Sequence, residues 1–493
     1  MNFVEFLFER SRDSDGDFIA GVKETLTFRE LHEKVERLSR WIAWQYGSGK
    51  EFLLLSDNSA FFVTAYLAVM RSGNVPLLVE TRVSREDLAK LMLTCRPVAA
   101  FAQSRLASKV APGLPVLTED DLPAAEAPED MRPEVSDDDL AVVVFTSGST
   151  GAKKGVMITH GNLIANTTSI VEYLHLTPAD RVMVVLPFYY CYGASLLQTH
   201  LRAGGSVVIS HNIFLGGVLD EIDACRCTGL AGVPSTYQIL INRTGFLQHR
   251  FRTLRYMTQA GGRLEPKFIS MIADAFPDLE FYVMYGATEA TARMSYLPPA
   301  MLREKIASIG KGIPGVELRV LDESGREVRP GETGEIVASG RNIMKGYYGD
   351  EEGTRSVLRD GRYHTGDLAT VDEGGYIYVV GRARDIIKCA GYRVSPYEVE
   401  QVVQGVGGVD AVAVVGVPDD LLGEAIVAVV KKSEKATEDE VRAMVAGRCR
   451  ERLPSYKLPK HLSFVTDLPL NSSNKVDKVR IREMLSRGEI PVR

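Results

Sequence analysis

Cysteine is scarce in this chain. The six residues Cys95, Cys191, Cys225, Cys227, Cys389 and Cys449 are scattered, with one C-x-C and no C-x-x-C. That spacing writes neither a zinc site nor a disulfide framework and reads as plain thiols in a reducing compartment. No long Lys/Arg block is present, and 58 basic against 64 acidic residues give a net charge of −6. Neither nucleic acid nor an anionic membrane is therefore recommended as the main partner. No apolar run approaches a membrane span, and the opening "MNFVEFLFERSRDSDGD" turns acidic too early for a secretory signal. No internal repeat is apparent, and a cytoplasmic enzyme is the expectation.

What the chain does have is ordinary globular chemistry. Apolar residues make up 45% and charged residues 25% of 493 positions, and roughly 100 to 200 residues per domain predicts about two to four units. Near the N-terminus "TFRELHEKVERLSRWIAWQY" places Leu31, Val35, Leu38 and Ile42 at helical spacing, with Thr27 as a cap in front of Glu30. The stretch "FLLLSDNSAFFVTAYLAVMRSGNVPLLV" reads as strand, capped helix, turn and strand, a βαβ unit that implies a parallel sheet. Residues 111–139 shift to Pro, Ala, Asp and Glu, which is loop chemistry.

From "LAVVVFTSGSTG" onward, β-rich runs such as "RVMVVLP", "GGSVVIS" and "EFYVMYG" alternate with predicted helices. Shorter β segments separated by Gly turns over 310–379 suggest a small antiparallel barrel or sheet. After "GRARDIIK" a fresh alternation of strands and helices forms a small α+β domain. The fold class expected is thus α/β: a large N-terminal domain of layered α/β subdomains plus a small β-barrel-like part, followed by a small mobile α+β domain. The predicted boundary divides 1–384 from 385–493 at Asp385.

The most conspicuous segment is "FTSGSTGAKKGV", Phe145 to Val156. It follows a buried-type strand, where functional loops of open α/β folds gather. Glycines allow successive N–H groups to face one anion, the hydroxyls add donors, and Lys153 or Lys154 adds charge. A ligand-free turn is the other reading, and the spacing is not that of the common NTPase phosphate loop. "GKGIPG" at Gly310 to Gly315 satisfies G-x-G-x-x-G, but Pro314 and the β-type run "VELRVLD" follow it where a dinucleotide loop would open a helix.

"TSGSTGAKKGV" resembles the phosphate-binding signature of the AMP-forming adenylating superfamily, which comprises acyl- and aryl-CoA synthetases, nonribosomal peptide synthetase adenylation domains and luciferases. Further signatures follow in the family's order: "LPFYYCYG", "YGATE", "GEIVASG", "YHTGD", "GRARDIIKCAGYRVSPYEVE" and "NKVDK". Together they cover nearly the whole chain. The resemblance implies attack of a carboxylate on the α-phosphate of ATP to give an acyl-adenylate and pyrophosphate. A thiol then displaces AMP. Such chemistry depends on positioning and charge neutralisation.

By this resemblance Thr146, Ser147, Gly148, Ser149, Thr150, Gly151 and Lys154 hold the β- and γ-phosphates, and Thr150 with Glu289 places Mg²⁺. Thr288 and Glu289 stand with Lys475 as catalytic residues, Lys475 meeting the α-phosphate and the acid. Tyr285 and Gly286 would lie at the adenine with Gly261 and Gly262, while Asp367 and Arg382 take the ribose. Tyr189, Tyr190, Gly193, Val233, Gly261, Met284 and Ala287 would line the acid pocket. Asp385 would be the hinge about which the C-terminal domain swings, bringing Gly391 to a pantetheine tunnel.

Three positions leave the family's pattern. Lys153 replaces a frequent Pro, making the loop more basic and less rigid. Asn474 stands where Gly commonly precedes the lysine, and Asn also tolerates a left-handed conformation. Tyr190 occupies a position where CoA synthetases often carry His and many amino-acid-activating domains carry an Asp for the substrate ammonium. With no acid in "PFYYCYGASL", a neutral acyl or aryl acid is expected, with ATP, Mg²⁺ and CoA as cofactors. The ending "LPLNSSNKVDK" keeps a carrier protein's phosphopantetheine open as the alternative acceptor.

Overall fold

Thr27 caps the helix Phe28–Tyr46 with a reciprocal capping box: its hydroxyl accepts from the Glu30 N–H, and the Glu30 carboxylate accepts from the Thr27 N–H. Leu31, Val35, Leu38 and Ile42 are buried along one face of this helix, as their spacing predicts. The structure is a computed structural model. It describes all residues except 22, 121, 123–127, 129–132, 148–152, 211, 213, 471–475 and 493, and the side chains of Ser147 and Arg393.

The chain forms two compact units, Met1–Leu318 with Ala338–His364 and Arg319–Val337 with Thr365–Arg493. In the first unit the predicted βαβ element is strand Glu51–Leu55, helix Ala60–Arg71 and strand Val75–Leu78, with the two strands parallel. They sit within a seven-stranded sheet that continues through Leu140–Ser147, Lys153–Thr159 and Gly346–Tyr347 on one side and Ala99–Ala102 and Val116–Leu117 on the other. Val116–Leu117 is a difference from the expected loop at 111–139. Two apolar residues suffice to add an edge strand beside Ala99–Ala102.

A second sheet of nine strands has a parallel centre: Glu280–Tyr285, Tyr256–Gln259, Gly229–Gly232, Arg181–Val184, Ser206–Ile209 and Asp17–Ala20. Helices Ala60–Arg71 and Cys191–Ala203 are buried on nearly every side, and one apolar cluster joins them to both sheets. A helix that is apolar all round belongs between layers. The motif "GKGIPG" contains only the two-residue strand Lys311–Gly312 and leads to strand Val316–Leu321, so no helix N-terminus is presented there.

In the second unit, strands Tyr392–Val394, Ile387–Cys389, Gly423–Lys432 and Val409–Asp419 form a sheet in that order, with His461–Val465 pairing Gly423–Lys432. Helices Pro396–Gln404, Glu438–Arg452 and Lys478–Ser486 complete the α+β arrangement that the alternation predicts. No helix among the described residues is long and apolar enough to cross a membrane.

Two histidines are locked into the first unit's core as neutral rings. His160 Nδ1 accepts from the Phe3 N–H at 3.0 Å, and His200 lies between Tyr256 Oη at 3.0 Å and the Leu196 carbonyl at 2.9 Å. Burial holds both pKa values down to about 4. Because the unfolded rings bind protons at higher pH, the stability they confer is full above about 6.5 and is lost as pH falls toward 4. Urea-unfolding free energy should therefore fall between pH 6.5 and 5 by up to about 1.4 kcal/mol per pH unit for each ring, and His160→Gln should flatten that slope. Thr27→Ala should cost about 1 kcal/mol in the same measurement at pH 7.

Candidate active site

Parallel strands all end at the same edge of their sheet, so the loops that leave those ends are gathered together. Val233 and Gly261 each follow closely on a strand of the nine-stranded sheet, Gly229–Gly232 and Tyr256–Gln259. Ala287 and Thr288 follow the neighbouring strand Glu280–Tyr285, and the segment Leu186–Gly193 follows Arg181–Val184. In the seven-stranded sheet, Asp57 and Glu80 follow Glu51–Leu55 and Val75–Leu78, while Ser147 ends Leu140–Ser147. Among the described residues, those predicted for nucleotide and acid in the first unit thus lie at or beside the carboxyl ends of these strands.

Several of these loops require glycine. At Gly193 a Cβ would overlap the Pro187 carbonyl, which fixes the sharp entry into helix Cys191–Ala203. At Gly286 it would overlap the Ala292 carbonyl, so the "YGATE" loop folds back on itself. Gly261 has φ +84° and its Cβ would press on Val233, which brings these two predicted pocket positions side by side. Thr291 takes φ 67°, a strained value for a β-branched residue, and its hydroxyl is anchored on the Asn342 carbonyl at 2.7 Å. That tie holds the turn carrying Thr288 and Glu289.

The segment predicted to line the acid pocket is pinned by Asn58, whose amide donates to the Leu186 carbonyl at 2.8 Å and accepts from the Phe188 N–H at 2.7 Å. Tyr189 and Tyr190 meet edge to face with centroids 4.8 Å apart. Burial raises the Tyr189 phenol to about 12, so it stays protonated at neutral pH. The Tyr190 hydroxyl donates to Glu80 Oε2 at 3.1 Å, and the other Glu80 oxygen pairs with the Lys153 ammonium. Glu80 therefore ties the predicted acid-pocket loop to the base of the predicted phosphate loop. Its partner Lys153, read from sequence as extra basicity, is neutralised here. Nothing about Glu80 in the sequence signals this, because its partners lie 73 and 110 positions away.

Lys154 is held differently. Its ammonium lies 3.1 Å from Asp350 Oδ2 and 4.5 Å from the centre of the Tyr347 ring. The Tyr347 hydroxyl in turn donates to Glu289 Oε1 at 2.8 Å. Asp350 caps helix Glu351–Val357, and its acceptance of the Gly353 N–H, with Lys154 adding, holds its carboxyl below the usual range. Tyr347 reaches this position because Gly346–Tyr347 pairs antiparallel with the strand that carries Lys154. Sequence reasoning missed Tyr347 and Asp350. The run "GYYGD" was the available signal, but only strand pairing gives it meaning. Thr288 Oγ1 lies 3.4 Å from Cys191 Sγ, which joins the predicted catalytic turn to the acid-pocket helix.

Among the described residues no cluster of three acidic, histidine or cysteine side chains could hold a metal alone. The donor set of Glu289 and the predicted Thr150 fits a cation that keeps most of its water and binds substrate phosphates, which is the habit of Mg²⁺. Gly148, Ser149, Thr150, Gly151 and Lys475 lie outside the described residues. The ends of the phosphate segment are described: Thr146 faces Lys154 and Ser147 faces Lys153 across an antiparallel pair.

In the second unit, Asp367 and Arg382 are opposite one another on paired strands, and Arg382 Nε lies 2.9 Å from Asp367 Oδ1. Gly366, at φ +70°, donates its N–H to Glu335 at 2.9 Å, which sets the turn before Asp367. Asp385 ends a short 3-10 turn, with Arg482 Nη2 at 3.4 Å. Ala390 and Gly391, both at positive φ, connect the strands Ile387–Cys389 and Tyr392–Val394 as a two-residue hairpin turn.

Breaking the Glu80 link should separate two effects. Glu80→Ala should strengthen Mg·ATP binding measured by calorimetry by about 3- to 10-fold, because it frees the Lys153 ammonium for the phosphates and removes a nearby anion. Adding Lys153→Met should remove that gain. A gain that persists in the double variant would show that the two side chains act independently.

Comparison with known proteins agrees with this geometry. Residues 8–348 match the AMP-binding enzyme family and residues 398–475 match the AMP-binding enzyme C-terminal domain. The chain is 34% identical over 477 residues to a feruloyl-CoA synthase from Amycolatopsis, covering 93% of each. It superposes on ATP-bound MatB from Rhodopseudomonas palustris with a TM-score of 0.89 at 29% identity, covering 98% of each chain. With the o-succinylbenzoate coenzyme A synthetase from Bacillus subtilis bound to ATP and magnesium, the TM-score is 0.86 at 26% identity, over 98% of this chain and 99% of the other. Fold, motif order and these likenesses agree that the chain belongs to the AMP-binding enzyme family and is an AMP-forming acid–thiol ligase.

Proposed function

We propose that this enzyme joins an aryl or arylalkyl carboxylic acid to CoA through an acyl-adenylate, in the cytoplasm. The observation that carries this reading is the pair Tyr189 and Tyr190 in the acid-pocket loop, with the carboxylates beside them, Glu80 and Asp57, already paired with Lys153 and Arg105. An α-amino acid would need an acidic partner for its ammonium, and an uncompensated ammonium in such a site is costly. Two phenol rings meeting edge to face instead suit an aromatic acid. The feruloyl-CoA synthase relative and an indoleacetate–CoA ligase from Aromatoleum aromaticum, 28% identical over 94% of each chain, are named for acids of this class.

In this reading the glycine- and hydroxyl-rich segment from Thr146 to Lys154 grips the β- and γ-phosphates. Tyr285, Gly286, Gly261 and Gly262 receive the adenine, and Asp367 with Arg382 takes the ribose. Mg²⁺, held through Glu289 and Thr150, supplies charge neutralisation at the phosphates. Thr288 positions the reacting carboxylate beside Glu289. Lys475 brings its ammonium to the α-phosphate and acid oxygens, where negative charge concentrates as the anhydride forms and pyrophosphate leaves. The segment 385–493 then turns about Asp385, withdrawing Lys475 and presenting Gly391 to the pantetheine arm for thioester formation. The six cysteines are all free thiols, which accords with a reducing compartment.

Free CoA and phosphopantetheinyl carrier proteins should be compared directly as acceptors of the enzyme-made adenylate. CoA thioester is the expected product, and thioester found only on a carrier would overturn the choice of acceptor. Lys475→Ala should lower acid-dependent pyrophosphate exchange by about 100-fold or more while leaving thioester formation from supplied acyl-AMP within about 3-fold. Equal loss in both half-reactions would refute the division of labour.

A further inference from the structure

Arg293 is the largest fully buried side chain of the first unit, only 2% exposed. Its surroundings do not balance its charge. The guanidinium lies over the Tyr192 ring at 3.9 Å, and its Nε faces Met284 Sδ at 3.4 Å. The Tyr173 hydroxyl donates to the same sulfur at 3.1 Å. A ring face and a thioether are weak partners for a group with five N–H donors. Among the described residues no carboxylate forms an ion pair with Arg293, and a buried cation ordinarily has one.

The position is built, not incidental. The amides of Asn166 and Asn342, both buried, donate to the Arg293 carbonyl at 2.9 Å and 3.0 Å. Tyr192 is held by Thr258, whose carbonyl and hydroxyl lie 3.0 Å and 2.9 Å from its Oη, so the ring under the guanidinium is oriented. Tyr192 adjoins Gly193, and Met284 precedes Tyr285, so the guanidinium lies between two segments assigned to the acid pocket. Thr288 and Glu289, where on the proposed reading the reacting carboxylate meets ATP, are part exposed, whereas Arg293 is enclosed against Met284.

We infer that Arg293 is a specificity-determining residue that selects acids carrying a second carboxylate at the end remote from the one adenylated. This rests on the ligase reading and on the acid-pocket assignment above. The second carboxylate would supply the counter-charge that Tyr192 and Met284 do not, by charge-assisted hydrogen bonds to the guanidinium. The reacting carboxylate would then be directed outward toward the phosphates. A neutral acid of the same shape would leave the cation unmatched.

The test is acid-dependent pyrophosphate exchange with cinnamic acid, 4-hydroxycinnamic acid and 4-carboxycinnamic acid, comparing kcat/KM. The wild-type enzyme should favour 4-carboxycinnamate by about 10- to 100-fold. Arg293→Met should abolish that preference while keeping cinnamate within about 3-fold, and Arg293→Lys should keep part of it. Thermal unfolding and AMP binding by calorimetry identify variants that are folded. If Arg293→Met does not fold, the preference of the wild-type enzyme and of Arg293→Lys decides. Exchange with cinnamate but no preference for the dicarboxylate, or equal loss for all three acids in a folded variant, would overturn the inference alone. No exchange with any acid in the wild-type enzyme would overturn the ligase reading with it.

Discussion

Parallel strand pairing is the constraint on which the first unit depends. Parallel strands cannot be joined by tight turns, so every connection must leave one edge, cross a face as a helix and return. The carboxyl edge of the seven-stranded sheet therefore collects Asp57, Glu80 and Ser147, and that of the nine-stranded sheet collects the Leu186–Gly193 segment, Val233, Gly261 and the "YGATE" turn. The helices between the sheets, Ala60–Arg71 and Cys191–Ala203, bury apolar residues on both sides and hold the two edges in fixed register. Removing that core would scatter the loops, because it is what packs the two sheets together.

Around these loops, charge is managed in matched groups. Lys153 is neutralised by Glu80, and Lys154 is shared between Asp350 and the Tyr347 ring. The Glu289 carboxylate receives the Tyr347 hydroxyl. These partners keep each charged group partly desolvated and pointed in a definite direction, which lowers the reorganisation needed when phosphates arrive. Arg293 departs from this pattern: among the described residues its buried charge meets the Tyr192 ring, the Met284 sulfur and the Tyr173 hydroxyl but no carboxylate.

Local signals were read correctly where the physics is local. Thr27 and Glu30 are three residues apart, so their capping box could be recognised from spacing alone. Pro314 and the β-type run "VELRVLD" are enough to refuse a dinucleotide loop at Gly310 to Gly315, and strand Val316–Leu321 follows that motif where such a loop would open a helix. The short pair Val116–Leu117 escaped notice because two apolar residues in a Pro- and Asp-rich stretch carry no periodicity. Only the neighbouring strand Ala99–Ala102 makes them an edge. Glu80, Tyr347 and Arg293 were not singled out for the same reason: an isolated Glu, Tyr or Arg has no meaning until distant elements surround it.

The sequence by itself determined the succession of elements, the chemistry of the glycine- and hydroxyl-rich segment and the order of signatures that identify an adenylate-forming enzyme. Those properties depend on residue type and short spacing, which folding does not alter. The tertiary structure alone decided which charge meets which: that Lys153 is tied to Glu80 and through it to Tyr190, that Tyr347 stands between Lys154 and Glu289, and that Arg293 is enclosed. Electrostatic energy depends on distance and burial in space, and neither is a function of separation along the chain.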